Sequence, residues 1–187
     1  MRCRSCGEPI RRREPVIWAL AAVGMGVTTA AVGWNWLLPA HLVFIAVTTV
    51  LVVTDLDAKL LPNRVLYPGT IVITVLLAAG AVAEDSLTSF WNGLIAGAVY
   101  FGILFLIGVL NPRGMGFGDV KMAFVIGLVL GFWDWRVLAQ ALIFTGLIGG
   151  IPALFLLAFK KVSKDYEIPY GPAMILGAWI ALFLGAP

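Results

Sequence analysis

A carboxylate at the edge of an apolar segment needs a chemical reason, because charge in or beside hydrocarbon is expensive. Two stretches of this chain supply one each. Gly114-Met115-Gly116-Phe117-Gly118-Asp119-Val120-Lys121 sets an aspartate behind spaced glycines at the start of an apolar run, and Thr54-Asp55-Leu56-Asp57-Ala58-Lys59-Leu60-Leu61-Pro62-Asn63 ends another apolar run on acidic residues before a Leu-Leu-Pro break. Two carboxylates held close in low dielectric cannot both ionise cheaply, so one keeps a proton while the other is charged. Such a pair can activate water for attack on a peptide carbonyl: the ionised member takes the water's proton and the protonated member polarises the carbonyl.

Asp55 and Asp119 are the members of the expected pair. Asp119 falls in the first turn of its helix, where the positive dipole end favours an anion and Lys121 is near, so it is expected as the base. Asp55, at a helix C-terminus, is expected as the acid, although a coupled pair titrates as a unit. Gly114, Gly116 and Gly118 are expected to let a substrate backbone come close, against the plainer reading of a flexible turn. Asp57, Lys121, Pro62 and Asn63 form the surrounding candidate set, with Asn63 expected to cap the helix that follows. Taken singly, Asp55 could be an ion pair to Lys59 four residues on, and Asp57 a solvated loop charge.

The elements that must carry these residues are set by composition. The chain has 187 residues, of which 61% are hydrophobic and 12% charged, with a mean hydropathy of +0.99; soluble domains are far more polar. An all-α, polytopic integral membrane protein is expected, with a basic cytoplasmic tail over residues 1–15 and a transmembrane domain over 16–187. Apolar segments at 16–38, 39–54, 65–83, 87–110, 120–133, 137–159 and 168–186 give seven expected spans. The second and fifth, which carry the acidic motifs, are the short ones, and short spans draw their ends inward from the membrane surface. The run from Val16 is too long for a cleaved leader and reads as a retained span.

The net charge of +3 would suggest nucleic acid in a soluble protein; here it reads as topology. With the N-terminus inside, alternation through seven spans brings every Lys and Arg except Arg136 to the cytoplasmic side and leaves Glu84, Asp85 and Asp134 outside, with the C-terminus outside. Asp55 and Asp119 then share the cytoplasmic boundary. Most of the seven tryptophans fall near span ends, as interfacial indoles do. Gly-x-x-x-Gly spacings at Gly93/Gly97, Gly127/Gly131 and Gly146/Gly150 suit close helix packing, though 21 glycines make chance matches common. Pro152 is expected to kink the sixth span, and Pro169 with Pro172 to open the seventh. The single histidine, His41, reads as a packed or interfacial residue. Cys3 and Cys6 form one C-x-x-C beside arginines, which is either half of a zinc site or two reduced thiols in a basic tail.

Taken together, the stretch from Asp55 through Leu60-Leu61-Pro62-Asn63 and the stretch Gly116-Phe117-Gly118-Asp119-Val120-Lys121 resemble the signature of type IV prepilin peptidases, bacterial membrane aspartyl proteases of the G-x-G-D class. The second motif alone is moderately specific; both at cytoplasmic span ends are highly specific. Ile168-Pro169-Tyr170-Gly171-Pro172-Ala173-Met174 looks like the family's Ile-Pro-Phe-Gly-Pro segment opening its last helix, and the stretch from Cys3 through Cys6 to Pro15 resembles the second half of its cytoplasmic cysteine domain. The resemblance implies that Asp55 and Asp119 are catalytic. It also implies that the substrate is a type IV prepilin or pseudopilin, cleaved after its leader at the cytoplasmic face of the bacterial inner membrane, in pilus or type II secretion systems. Many members also N-methylate the new terminus with S-adenosylmethionine. Against the long form, this chain is expected to lack the first helix and first C-x-x-C, so its zinc site is not expected to close within the chain, and neither zinc nor S-adenosylmethionine is needed for proteolysis. Asn63 stands where Asp is common.

Two other classes compete. A small transporter or proton-relay protein also uses paired intramembrane carboxylates, but would carry polar residues deeper in several spans. A non-catalytic assembly protein would use the motifs only to hold loops together, so that Asp-to-Asn changes lower stability without removing any cleavage. The membrane and the substrate helix are the expected partners, with no nucleic acid, and the oligomeric state is left open.

Overall fold

The computed structural model describes residues 14–58, 61–110, 116–151 and 170–185. These residues form helices α1 (Glu14–Val32), α2 (Leu38–Ala58), α3 (Asn63–Ala83), α4 (Leu87–Leu110), α5 (Phe117–Trp133), α6 (Trp135–Thr145), which continues into a π turn at Gly146–Gly150, and α7 (Gly171–Gly185). No strand occurs among them. Leu38–Asp57, Asn63–Ala83 and Leu87–Leu110 are long and apolar enough to cross a membrane. The outer faces of α3 and α4 expose Ile71, Val75, Val82, Ile95, Val99 and Ile103, a surface that suits lipid better than water.

Helix ends explain where the expected spans shift. Gly33, with φ of +76°, ends α1 at Val32, well before the expected 38, because glycine enters the left-handed region without a Cβ clash. Asn35 Oδ1 then accepts from the backbone N–H groups of Leu37 and Leu38 at 3.0 and 3.1 Å and starts α2. That helix runs 21 residues, so the second span is not short: its acidic last turn stays helical, and the chain leaves the helix before Pro62. α5, at 17 residues, is short as expected, and α7 is described over 15. At 1.5 Å per residue α5 spans about 26 Å, less than the roughly 30 Å of a hydrocarbon core. α5, bounded by described residues at both ends, is therefore the short helix at the site.

α5 is the hub. It is apolar on every side and buries Val120, Met122, Ala123, Val125 and each residue from Ile126 to Phe132, a pattern found when a helix is enclosed by others. It packs on α3, α4, α6 and α7, while α7 also packs on α1 and α2. α7 thus stands between α2 and α5, which meet chiefly near their ends.

Two of the three Gly-x-x-x-Gly pairs do structural work, and they face one another. A Cβ on Gly97 would lie 2.8 Å from the Phe124 carbonyl oxygen and one on Gly127 would lie 2.7 Å from Gly97 Cα, while Gly131 rests on the Ala96 methyl and Gly93 on the Leu128 carbonyl at 2.5 Å. Removing side chains from both faces lets the backbones of α4 and α5 come into contact. Gly146 and Gly150 have nothing within 4 Å of their Cβ points; the third pair is not a packing seam.

The histidine is packed, as expected. His41 is fully buried, its Nδ1 is 2.8 Å from the Leu37 carbonyl oxygen and its Nε2 accepts from Trp133 Nε1–H at 2.9 Å. Both bonds are satisfied by the neutral tautomer protonated on Nδ1. Trp18, Trp34, Trp36 and Trp91 are exposed near helix ends, but Trp179 is 8% exposed. It donates from Nε1 to Thr48 Oγ1 at 3.0 Å and ties α7 to α2 inside the bundle. The expected kink at Pro152 lies outside the described residues; the π turn ends two residues before it.

Candidate active site

Three helix ends converge. Asp55 sits in the last turn of α2 and Asp119 in the first turn of α5, 6% and 7% exposed. Asp119 N–H donates to the Gly116 carbonyl at 3.0 Å, which turns the chain into α5. The first residue of α7, Gly171, meets both: the point where its Cβ would stand is 2.7 Å from Asp55 Oδ2 and 3.1 Å from Asp119 Oδ1. The two oxygens therefore cannot be further apart than those distances laid end to end. Two side chains far apart in the sequence share one buried locus, as the motifs suggested.

The far end of the same helix pair fixes their direction. His41, near the start of α2, bonds Trp133, the last residue of α5, while Asp55 near the end of α2 meets Asp119 near the start of α5. The helices run antiparallel, with a neutral hydrogen-bonded pair closing one end and the carboxylates the other. No other aspartate or glutamate is buried among the described residues.

The remaining candidates separate into rim and packing. Lys121 Nζ donates to Asn63 Oδ1 at 2.9 Å and lies over the rings of Tyr67 and Phe117, at 5.1 and 4.9 Å from their centroids. It therefore pins the start of α3 to the start of α5. Asn63 does not cap α3: it is already the first helical residue and the cap position is Pro62, with no side-chain hydrogen bond, while the Asn63 amide oxygen accepts from the lysine. Gly118 does not hold an opening for a substrate backbone. A Cβ there would fall 2.8 Å from Leu61 Cδ1, so this glycine admits the chain that leaves Asp55. Gly116 is exposed, and its Cβ point has Asp119 Oδ2 at 3.5 Å as neighbour. Asp57 is exposed, two residues and roughly 200° around the helix from Asp55.

Gly114, Lys59, Cys3 and Cys6 lie outside the described residues. Among the described residues no three His, Cys, Asp or Glu side chains gather as a metal set. Gly171 is the site residue that motif reading passed over, having been read only as the opening of a helix. The signal was its place just before Pro172, which holds φ for a first helical turn.

A helical bundle with lipid-suited faces and two buried aspartates at a three-helix junction defines an integral membrane protein with a paired-carboxylate centre. The type IV leader peptidase family model matches residues 42–157, and the chain belongs to that family. It is 31% identical to the prepilin leader peptidase/N-methyltransferase of Bacillus subtilis over 98% of this chain and 71% of that protein. Proteins of the same name from Aeromonas hydrophila and Pseudomonas aeruginosa are 30% and 28% identical, each over 98% of this chain and 62% of their own length. The chain thus spans less than two thirds of those two relatives. No solved structure matches it.

Proposed function

We propose that the chain is an aspartic-type endopeptidase that removes the leader of type IV prepilins or pseudopilins at the cytoplasmic face of the bacterial inner membrane. The observation that carries the reading is the convergence of Asp55 and Asp119 on Gly171 in a chain otherwise without buried acids among its described residues. Membership of the leader peptidase family and the names of its relatives support the substrate class.

The mechanism follows from two carboxyls that hold one proton between them. The ionised group, assigned to Asp119 at the start of α5, removes a proton from water as its oxygen attacks the scissile carbonyl. The protonated group, assigned to Asp55, donates a hydrogen bond to the carbonyl oxygen and then its proton as the tetrahedral oxyanion forms. Collapse re-forms the C=O as a hydroxyl of the tetrahedral intermediate returns its proton to Asp55, and breaks the C–N bond as Asp119 passes its proton to the leaving amine, which leaves the pair with one proton again. Burial of both side chains keeps the pair in low dielectric, where such charge stabilisation is strongest. A prepilin stem helix lying in the bilayer could present its leader junction there without leaving lipid.

The topology proposed with this reading has the N-terminus inside, seven spans and the C-terminus outside. Zinc and S-adenosylmethionine enter no step. Cys3 and Cys6 are two thiolates where a closed zinc site takes four ligands, and the described residues offer no further cysteine.

The test is leader cleavage of a co-reconstituted prepilin by wild type, Asp55→Asn and Asp119→Asn, each shown to be folded and inserted. The reading expects activity in the wild type and a loss of at least about a hundredfold in both variants. Undiminished cleavage in either variant removes that residue from the mechanism.

A further inference from the structure

Gly171 is the described glycine whose Cβ point meets both carboxylates, where that of Gly116 has Asp119 alone at an ordinary 3.5 Å. A Cβ on Gly171 would meet Asp55 Oδ2 at 2.7 Å, Asp119 Oδ1 at 3.1 Å and Asp55 Cγ at 3.3 Å. Real Cβ atoms essentially never come within 3.0 Å of another heavy atom, and contacts from 3.0 to 3.4 Å are already tight. Gly177, farther along the same helix, makes an equally close approach, but to Thr145 Oγ1 at 2.6 Å and the Ala141 carbonyl at 2.9 Å; it serves the packing of α7 on α6. Gly33 is the described glycine with positive φ, so backbone conformation does not call for glycine at 171. What excludes a methyl there is the pair of carboxylates.

The helix itself has little room to yield. Ala173, Met174, Ile175 and Ala178 are buried, and Gly149 of the π turn lies against Ala173 so closely that a Cβ on it would be 2.8 Å from the Ala173 methyl. A substituent on residue 171 would displace the short aspartate side chains before it displaced α7.

We propose that Gly171 is the positioning residue of the carboxylate pair: by presenting hydrogen where any other residue presents carbon, it lets Asp55 and Asp119 close on one point. This rests on the reading of the pair as catalytic. Spacing then sets the pH range of the enzyme. Close carboxyls repel as dianions and share a proton as the monoanion, which separates their two macroscopic titration steps. Pushing them apart weakens both effects, so the lower step rises, the upper step falls, and the interval in which the pair holds one proton narrows.

The experiment compares Gly171→Ala with Gly177→Ala in the full chain, reconstituted with a prepilin. For Gly171→Ala the expected result is a kcat lower by about tenfold to a hundredfold, a KM within about twofold, and a bell-shaped pH profile narrowed from both sides. Gly177→Ala is expected to unfold at lower temperature and to keep the width of the wild-type profile. A second measurement needs no activity: unfolding temperatures of Gly171→Ala, Asp55→Ala and the double variant, where removing the oxygen at 2.7 Å should recover much of what the methyl costs. A folded Gly171→Ala with a profile as broad as wild type, or strictly additive unfolding shifts, overturns the proposal. Cleavage retained by Asp55→Asn or Asp119→Asn would overturn the catalytic reading instead and leave the predicted non-additivity standing.

Discussion

At the scale of single residues, the two aspartates and the Lys121–Asn63 pair make different demands. Because the carboxyls act as a unit, Asp55→Asn combined with Asp119→Asn is expected to lower leader cleavage no further than either change alone, a non-additivity read from kcat of the three variants. Lys121 offers a hydrogen bond to Asn63 at 2.9 Å and two aromatic faces near 5 Å. Lys121→Met is therefore expected to cost about 1 kcal/mol of stability, and Asn63→Ala should add little to it, as thermal unfolding of the two single variants and the double will show. His41 is the buried counterpart at the other end of the pair. His41→Leu leaves the Trp133 N–H without its acceptor, while the Leu37 carbonyl keeps its backbone donors; the lost partner costs about 1–3 kcal/mol. Cleavage by the folded fraction should be unchanged, since the ring lies at the end of the helix pair opposite the carboxylates.

At the scale of elements, glycines that look alike in sequence are expected to behave oppositely. On the α4–α5 seam the Gly97 Cβ point is 2.8 Å from a carbonyl of α5, so Gly97→Leu forces the two backbones apart and should abolish the accumulation of folded protein. Gly146→Ala, with open space around the same point, should leave the unfolding temperature unchanged or raise it, because alanine favours helix over glycine by up to about 1 kcal/mol. Both are measured as detergent-stable protein and its melting temperature. The same comparison separates a seam from a coincidence of spacing, which composition could not do.

At the scale of the whole molecule, the proposed topology puts Arg64 and Asp85, at opposite ends of α3, on opposite sides of the membrane. With Cys3 and Cys6 replaced by serine, Arg64→Cys should react with an impermeant maleimide only from the cytoplasmic side and Asp85→Cys only from the outside. Labelling of both from one side would refute the crossing by α3.

Much of this architecture was legible without coordinates. Hydropathy marked the apolar segments because lipid-facing helices cannot hide composition, and the spacing of Asp55 and Asp119 relative to their segments put both on one boundary. Helix ends were legible where a residue type dictates geometry, as at Pro62, and less so where side-chain bonds decide, as at Asn35. Other features depended on which surfaces face each other. That α2 stays helical through its acidic last turn, that Asn63 accepts from Lys121, and that Gly118 admits Leu61 are outcomes of packing between segments distant in the chain. The sequence by itself determined a helical membrane protein with two aspartates at segment ends, since periodic hydrophobicity and isolated charge are local properties. Only the tertiary structure decided that α7 stands between α2 and α5 and brings a glycine against both carboxylates, because contact distance is a property of three helices at once.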